Sequence, residues 1–350
     1  MTKKIGLIGI RGLPAQYGAF DQHCLNLVDY SENFDIKFYV SCEHKFKKIN
    51  FFKKNVVRIY SYRSDNFGHV IYNLLSFFKM YLLGVRTFFF FGYGLSFFFN
   101  IIIVIFRCKV ICNVDGIEWR RKNIGIFKKF FFRLCEYLAA KSKAILIYDS
   151  IVIKRYYRKF YKKNGELIYY TSDIGEIVKK NNIVTDSKQK YFFLVQRLLQ
   201  ENSIDIIINA FIETDNDNYK LVITGPNNNY FNTLLEKIKK NKSKIIYTGP
   251  IYDRIKLIQM WNNASFYLHG HQVGGTNPTL IEACMLNKKI IAHNNMFNKS
   301  ILKNNALYFK NKIELLKIFN NIDNYQINSQ NISLDKFLKK YVCEKYINLT

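Results

Sequence analysis

The chain has 350 residues, 49% hydrophobic and 23% charged, a composition that excludes a largely disordered protein and suits two domains with separate cores. The formal net charge of +27 favours anionic partners, namely nucleic acid, anionic lipid or phosphorylated substrates, although a general enrichment in lysine would also raise it. Fourteen basic residues lie between Arg120 and Lys163, against only two acidic ones. A general enrichment does not explain this concentration in one segment.

Seven scattered cysteines form no pair of CxxC motifs, which predicts a reduced, cytoplasmic protein without a zinc site. The apolar run Ile5–Ile10 is too short for the core of a signal peptide. The uncharged stretch Phe88–Phe106 approaches the length of a membrane helix, but two glycines and an asparagine interrupt it. We therefore interpret it as a buried strand followed by a short helix.

Apolar runs alternate with amphipathic stretches along the whole chain, which indicates βαβ units and parallel sheets. In the first half the predicted strands are Lys4–Ile10, Ile36–Ser41, Thr87–Phe91, Lys109–Asn113, Ala144–Tyr148 and Leu167–Tyr170, with helices at Phe20–Tyr30 and Asn73–Leu83. In the second half the strands are Tyr191–Val195, Lys220–Ile223, Lys244–Tyr247, Phe266–Leu268 and Lys289–Ala292, with helices at Ile204–Phe211, Phe231–Lys239 and Pro278–Met285.

These series predict an α/β protein of two Rossmann-like, doubly wound parallel-sheet domains that face each other across a cleft. The predicted domains cover residues 1–178 and 188–333, joined by the polar segment Lys179–Lys190. A final helix, at about 334–350, could pack back on the first domain. The four prolines, Pro14, Pro226, Pro250 and Pro278, all follow predicted strands, at the sheet edge where α/β proteins bind ligands.

The first motif, Gly9 to His23, is a glycine-rich loop that follows the first strand and leads into a helix. Its glycine spacing is not GxGxxG, and a proline stands where a pyrophosphate-binding helix would begin. A nicotinamide-dependent oxidoreductase, the enzyme alternative, is thereby disfavoured.

The second motif, Cys112 to Arg121, places Asp115 and Glu118 after a strand, with Trp119 as a possible stacking platform. Carboxylates at this edge suit sugar hydroxyls or proton transfer, and helix capping is the alternative interpretation. In the third motif Arg197 follows a strand, where its guanidinium could grip a diphosphate.

The fourth motif, Tyr267 to Asn295, is the most specific. Gly274, Gly275 and Thr276 precede a helix whose N-terminus favours phosphate, and Glu282 lies one turn into that helix, where it could accept hydrogen bonds from ribose hydroxyls. His269 and His271 share one face of a strand, and with no third ligand nearby we interpret them as cleft residues rather than metal ligands.

Together these motifs resemble glycosyltransferase family 4, which has the GT-B fold, and within it the bacterial rhamnosyltransferase branch of capsule and O-antigen synthesis. The matches are an RGxPAxYGGFE-like loop, an NVDGxEW motif at Asn113–Trp119 and an HGHxxGGTNPxLxEA motif at His269–Ala283. The loop departs from the family pattern at Ala19 and Asp21, which leaves acceptor identity and linkage open. The departures at Gln200, Asn202 and Gly274 include changes that the branch itself shares.

The resemblance implies a retaining transferase that moves a sugar, with dTDP-L-rhamnose as the favoured donor and a UDP- or GDP-sugar as the alternative. It implies a lipid-linked or growing polysaccharide acceptor, with Asp115 orienting or deprotonating the acceptor hydroxyl or stabilising the oxocarbenium ion, and with Glu118 beside it. The donor set would be Arg197, Asn202, His271, Gly274, Gly275, Thr276, Asn277 and Glu282, and the acceptor-side loop Arg11, Gly12, Tyr17 and Gly18.

No cofactor or metal is expected, since the nucleotide-sugar is a substrate and no DxD motif follows a strand. The basic segment predicts docking on the anionic inner face of the plasma membrane, with Phe127, Phe130, Phe131 and Phe132 as candidates to insert. A nucleic-acid-binding protein, the non-enzyme alternative, is disfavoured because no recognised nucleic-acid motif appears.

Overall fold

A computed structural model describes residues 2–15, 18–63, 68–121, 124–181, 190–327 and 332–350. The chain divides into two compact units, unit 1 (Met1–Thr171 with Asp335–Thr350) and unit 2 (Ser172–Leu334). Unit 2 thus begins earlier than the predicted boundary at 178, because helix α6 (Ile174–Lys180) packs against helices of unit 2. Residues 182–189 of the predicted linker lie outside the described ranges.

Unit 1 contains a seven-stranded parallel sheet of order β3-β2-β1-β4-β5-β6-β7. Its strands are β1 (Lys3–Ile8), β2 (Ile36–Glu43), β3 (Val56–Ser61), β4 (Thr87–Phe91), β5 (Lys109–Asn113), β6 (Ile145–Tyr148) and β7 (Glu166–Leu167). Its helices are α1 (Ala19–Tyr30), α2 (Gly68–Leu82), α3 (Phe99–Val104), α4 (Ile126–Lys141), α5 (Ile151–Tyr161) and α13 (Lys339–Asn348).

Unit 2 contains a six-stranded parallel sheet of order β10-β9-β8-β11-β12-β13. Its strands are β8 (Tyr191–Val195), β9 (Lys220–Thr224), β10 (Ile245–Tyr247), β11 (Phe266–His269), β12 (Lys289–His293) and β13 (Leu307–Phe309). Its helices besides α6 are α7 (Ile204–Ile212), α8 (Asn229–Lys240), α9 (Arg254–Asn263), α10 (Pro278–Met285), α11 (Met296–Leu302) and α12 (Lys312–Asn320). The predicted fold class, two parallel-sheet α/β units, is confirmed.

The central strands are apolar on both faces because helices cover both sides of each sheet. In β4 all four phenylalanines are buried, which confirms the interpretation of Phe88–Phe106 as strand and short helix. Within the described residues, no helix is both long enough and apolar enough to span a membrane. All seven cysteines are buried free thiols.

The C-terminal helix α13 packs on α1 in unit 1. Its apolar side chains Val342, Cys343 and Tyr346 belong to the same buried cluster as Ile5 and Phe89 of the sheet. The core of unit 1 is therefore built from both ends of the chain.

Candidate functional site

The glycine-rich loop after β1 is fixed at its start. The backbone N–H of Arg11 donates to Asp21 Oδ1 at 3.0 Å, and Gly12 is buried. Gly18 is the N-cap residue of α1. Tyr17, the fourth predicted acceptor-side residue, lies outside the described residues.

A pocket of about 570 Å³ opens in unit 1 at the carboxyl ends of β1, β4 and β5. Its walls include several phenylalanines and a tyrosine, both predicted carboxylates, Asp115 and Glu118, and the cationic residues Arg63 and Lys128. Strand order brings these residues together, since parallel strands end at one edge of the sheet. The pocket combines apolar surface with a few charged groups, the composition of a small-molecule site.

Asp115 has a left-handed backbone conformation, with φ of 58°. Its N–H donates to Oδ1 of Asn113, the last residue of β5, at 3.0 Å. Aspartate tolerates this conformation better than most residues, and the side-chain bond from two positions earlier closes the turn. The chain therefore bends sharply at the end of β5, and Asp115 lies in the wall of the pocket.

Glu118 is held differently. Both of its carboxylate oxygens accept hydrogen bonds from the Arg121 guanidinium, each at 2.8 Å. Its N–H donates to the Tyr93 hydroxyl at 3.2 Å. A bidentate pair of this kind commits the Glu118 carboxylate to Arg121.

The Trp119 side chain makes several contacts within unit 1. Its indole N–H donates to Glu136 at 3.1 Å, and the guanidinium carbons of Arg120 and Arg133 lie 5.2 and 5.3 Å from its ring centroid. Glu136 is fully buried and also accepts from Tyr156 at 2.6 Å. These contacts anchor the motif and give the indole a structural role, while its role as a stacking platform stays a prediction.

In unit 2, Arg197 and Asn202 flank the turn after β8. Asn202 Nδ2 donates to the Arg197 carbonyl at 2.6 Å, so its Oδ1 faces the other way, towards His271 Nδ1 at 2.7 Å. An amide oxygen can only accept, and His271 Nδ1 must therefore carry the proton. When the imidazole is neutral, its Nε2 is then the acceptor.

His271 Nε2 faces the glycine loop. A Cβ atom at Gly274, where φ is 134°, would lie 2.9 Å from this nitrogen, so only glycine fits. Gly275, Thr276 and Asn277 complete the loop, and the Asn277 side chain accepts from the Thr279 N–H at the start of α10. The loop thus runs beside an imidazole and ends at a capped helix N-terminus, which suits a phosphate group.

The Arg197 side chain is exposed at the end of β8. Among the residues that the structure describes, none forms an ion pair or hydrogen bond with its guanidinium. A guanidinium with this freedom can bind a diphosphate.

Glu282 is nearly buried in α10, and Arg254 at the start of α9 donates a hydrogen bond to it. The same guanidinium lies 3.4 Å from an oxygen of Asp173. Burial raises the pKa of the Glu282 carboxyl, and the Arg254 charge offsets part of that rise. Sequence reasoning missed Arg254, since a lone arginine in a chain of 53 basic residues carries no local signal.

His269 is fully buried, with Nδ1 3.1 Å from the Tyr267 hydroxyl. Burial, aided by the neighbouring histidines, lowers its pKa well below the usual value, so the imidazole is neutral. Within the described ranges, no group of three or more His, Cys, Asp or Glu side chains could hold a metal ion.

Two families match the chain in succession. Residues 2–173 match the family described as "Domain of unknown function (DUF1972)", and residues 175–324 match "Glycosyl transferases group 1". Protein CapJ of Staphylococcus aureus is 23% identical over 249 residues, which cover 64% of this chain and 62% of CapJ. The chain therefore spans less than two thirds of that relative.

Solved structures share the fold over nearly the whole chain. HepE of Anabaena, in complex with UDP-glucose, has a TM-score of 0.71 at 13% identity, covering 99% of this chain and 98% of its own. Sucrose-phosphate synthase of Thermosynechococcus elongatus also has a TM-score of 0.71 at 13% identity, covering 99% and 94%. The chain accordingly has the GT-B fold, and its residues 175–324 form a glycosyltransferase group 1 domain.

Proposed function

We propose that the protein is a retaining glycosyltransferase, in which unit 2 binds a nucleoside diphosphate sugar and unit 1 binds the acceptor. The observation that carries this is the set of residues at the strand ends of unit 2. An exposed Arg197, a glycine loop beside His271 and a buried Glu282 lie within a glycosyltransferase group 1 domain. They match the diphosphate and ribose of such a donor in charge and hydrogen bonding.

The proposed roles of these residues follow from the charges that develop during sugar transfer. As the bond from the sugar to the diphosphate breaks, negative charge grows on the leaving group, and Arg197 with the loop N–H groups is placed to neutralise it without a metal ion. Positive charge grows on the sugar, and the acceptor hydroxyl must lose its proton. A carboxylate such as Asp115 stabilises the positive charge on the sugar or accepts the proton of the acceptor hydroxyl.

For the donor we propose dTDP-L-rhamnose, on the strength of the motif resemblance, with UDP-glucose as the second candidate because HepE was crystallised with it. A saturation-transfer NMR screen of dTDP-, UDP- and GDP-sugars against the purified protein tests this. Contacts to the sugar protons of one donor, followed by its turnover, are expected. Absence of binding by all three classes would refute the proposed function.

For the acceptor we propose a lipid-linked saccharide, used in surface polysaccharide synthesis at the inner face of the plasma membrane. The support is a surface of unit 1 formed by helices α2 to α5. Helix α4 packs on α5 and on the turn before α3, and Phe77 of α2 packs on Phe98 and Phe106, which flank α3. Its outer surface exposes large apolar side chains on every helix or flanking turn, among them Leu82 at 83%, Ile105 at 69%, Phe127 at 88%, Phe130 at 71% and Phe160 at 59%. Exposed apolar surface on this scale marks an interaction site.

The charge of this surface supports an anionic membrane as its partner. Arg155, Arg158, Lys159 and Lys162 cluster on α5 and just beyond it, and further basic residues lie on α4. The four acidic residues described between 68 and 163, namely Asp115, Glu118, Glu136 and Asp149, are all buried or half-buried. A surface that is apolar, cationic and free of exposed acids matches an anionic bilayer, where each basic residue contributes about 1 kcal/mol.

A further inference from the structure

A hydrogen-bonded chain joins the C-terminal helix to the loop that carries Asp115. Tyr346 of α13 is 1% exposed, and its hydroxyl accepts from Asn113 Nδ2 at 2.9 Å. Its ring packs against His23, with centroids 4.5 Å apart, and against Phe89 at 5.4 Å. Because these contacts hold the ring, the position of the hydroxyl is fixed.

Asn113 connects this hydroxyl to Asp115. Its Nδ2 donates to Tyr346, and its Oδ1 accepts from the Asp115 N–H at 3.0 Å. If the amide were reversed, its NH₂ group would face the Asp115 N–H, and two donors would oppose each other. Asn113 is 2% exposed, so bulk water cannot supply a substitute partner. The Asp115 N–H therefore sets which way the amide points, and the Tyr346 hydroxyl, by accepting from Nδ2, anchors the amide in that orientation.

The orientation matters because Asp115 has the left-handed conformation, with φ of 58°. Such a conformation persists in a non-glycine residue only where its surroundings hold it. The bond from Asn113 Oδ1 closes the turn and so sets the direction in which the carboxylate leaves the backbone. Asp115 lines the pocket of unit 1, and a shift of the turn would move it relative to a bound acceptor.

We propose that Tyr346 is a positioning residue for the reaction: through Asn113 it holds Asp115 at the wall of the acceptor pocket. This rests on the proposed function, in which Asp115 faces the acceptor. The C-terminal helix thus contributes to the acceptor site by a buried hydroxyl, without itself lining the pocket.

The test is Tyr346→Phe, which removes the hydroxyl and keeps the ring. Tyr30→Phe is a matched control, since the Tyr30 hydroxyl donates to Glu344 of α13 at 2.9 Å and joins the same two helices away from Asp115. Loss of one buried hydrogen bond at a positioned group predicts a drop in kcat of about tenfold for Tyr346→Phe, with donor KM within about twofold. Tyr30→Phe is expected to keep wild-type kcat.

Two further measurements separate positioning from general destabilisation. If Tyr346 acts through Asn113, the double variant Tyr346→Phe/Asn113→Ala should have a kcat no lower than that of Asn113→Ala alone. Backbone hydrogen exchange of residues 113–118, which needs no turnover, should rise in Tyr346→Phe and not in Tyr30→Phe.

Equal loss of kcat in both tyrosine variants, additive losses in the double variant, or unchanged exchange at 113–118 would overturn the inference. A wild-type protein that transfers no sugar from any donor would instead contradict the proposed function. Because the exchange experiment does not depend on activity, it would still decide the Tyr346–Asn113–Asp115 link in that case.

Discussion

The Arg254 guanidinium donates to the Glu282 carboxylate, the acid for which the sequence predicts a ribose contact. This ion pair favours the charged form of a nearly buried carboxylate, opposing the effect of burial on its pKa, and holds the carboxylate in one orientation. A ribose hydroxyl can then donate to an acceptor that is already placed.

Glu282→Ala should mainly weaken nucleotide binding. A hydrogen bond to a charged group is worth roughly 1.5–3 kcal/mol, which corresponds to a loss of about 10- to 150-fold in affinity. Isothermal titration calorimetry with the preferred nucleotide measures it. Glu236→Ala removes an exposed carboxylate from the same unit and should bind as wild type. Normal affinity in Glu282→Ala would remove this residue from the donor site.

Asp115→Asn should lower turnover by about 100-fold or more and leave nucleotide affinity nearly unchanged, because it keeps the size of the side chain and removes its charge. Steady-state kinetics and calorimetry on one sample separate the two effects. Asp29→Asn, which changes a half-buried carboxylate of unit 1 that pairs with Lys53, serves as the control. If Asp115→Asn lost nucleotide affinity, the allocation of donor and acceptor to the two units would be wrong.

Stability should fall on acidification because of His23. Burial lowers the pKa of this imidazole to about 4, and neither ring nitrogen has a hydrogen-bond partner among the described residues. Between about pH 6.5 and pH 4 the unfolded chain binds the proton and the folded chain does not. The contribution of the neutral His23 imidazole to the free energy of unfolding is therefore fully present above about pH 6.5. It is lost as the pH falls towards 4, by about 3 kcal/mol in total.

The apparent melting temperature of unit 1, followed from pH 7 to pH 4, measures this loss. His23→Phe should flatten the profile, whereas His44→Phe, which replaces an exposed histidine of the same unit, should keep it. A profile that stays as steep in His23→Phe would assign the acid sensitivity to other groups.

Turnover should need no divalent metal ion, because Arg197 and the loop before α10 are placed to neutralise the diphosphate. Equal rates with and without EDTA are expected once a donor is known. Activity that is abolished by EDTA and restored by magnesium or manganese would contradict this.

The protein should bind anionic vesicles in a salt-dependent manner through helices α4 and α5. Phe127→Ser combined with Phe130→Ser should reduce co-sedimentation with phosphatidylglycerol vesicles. Phe52→Ser removes a phenylalanine that is as exposed as Phe127, at 88%, but lies outside this surface, and should have no effect. Absent binding, or binding that salt does not weaken, would count against membrane docking.

The sequence predicted strands and helices best where burial is complete. The predicted bounds of β4, β8 and α10 agree with the structure. Strand β3, at the sheet edge, was missed because its half-buried residues include Arg58 and show no continuous apolar run. Helices α11 and α12 were also missed, although each begins at an asparagine cap, Asn295 and Asn311.

Within the candidate site, the sequence predicted residues that lie in local motifs and missed those that come from distant segments. Asp115 and the glycine loop follow strands within recognisable patterns. Arg254 meets Glu282 across 28 residues, and Tyr346 meets Asn113 across 233, so neither contact has a signature in spacing. Such pairs are determined by tertiary packing, which sequence periodicity does not encode.

The division of unit 1 into residues 1–171 and 335–350 has a consequence for biosynthesis. Unit 2 is continuous from Ser172 to Leu334, so all of it is synthesised before residues 335–350. Unit 1 therefore cannot complete its core until residues 335–350 have been made, and the binding place of α13 stays open until then. Stop codons just after Leu334 would leave a chain that retains unit 2 but exposes the apolar surface that Val342 and Tyr346 cover, a target for chaperones and proteases.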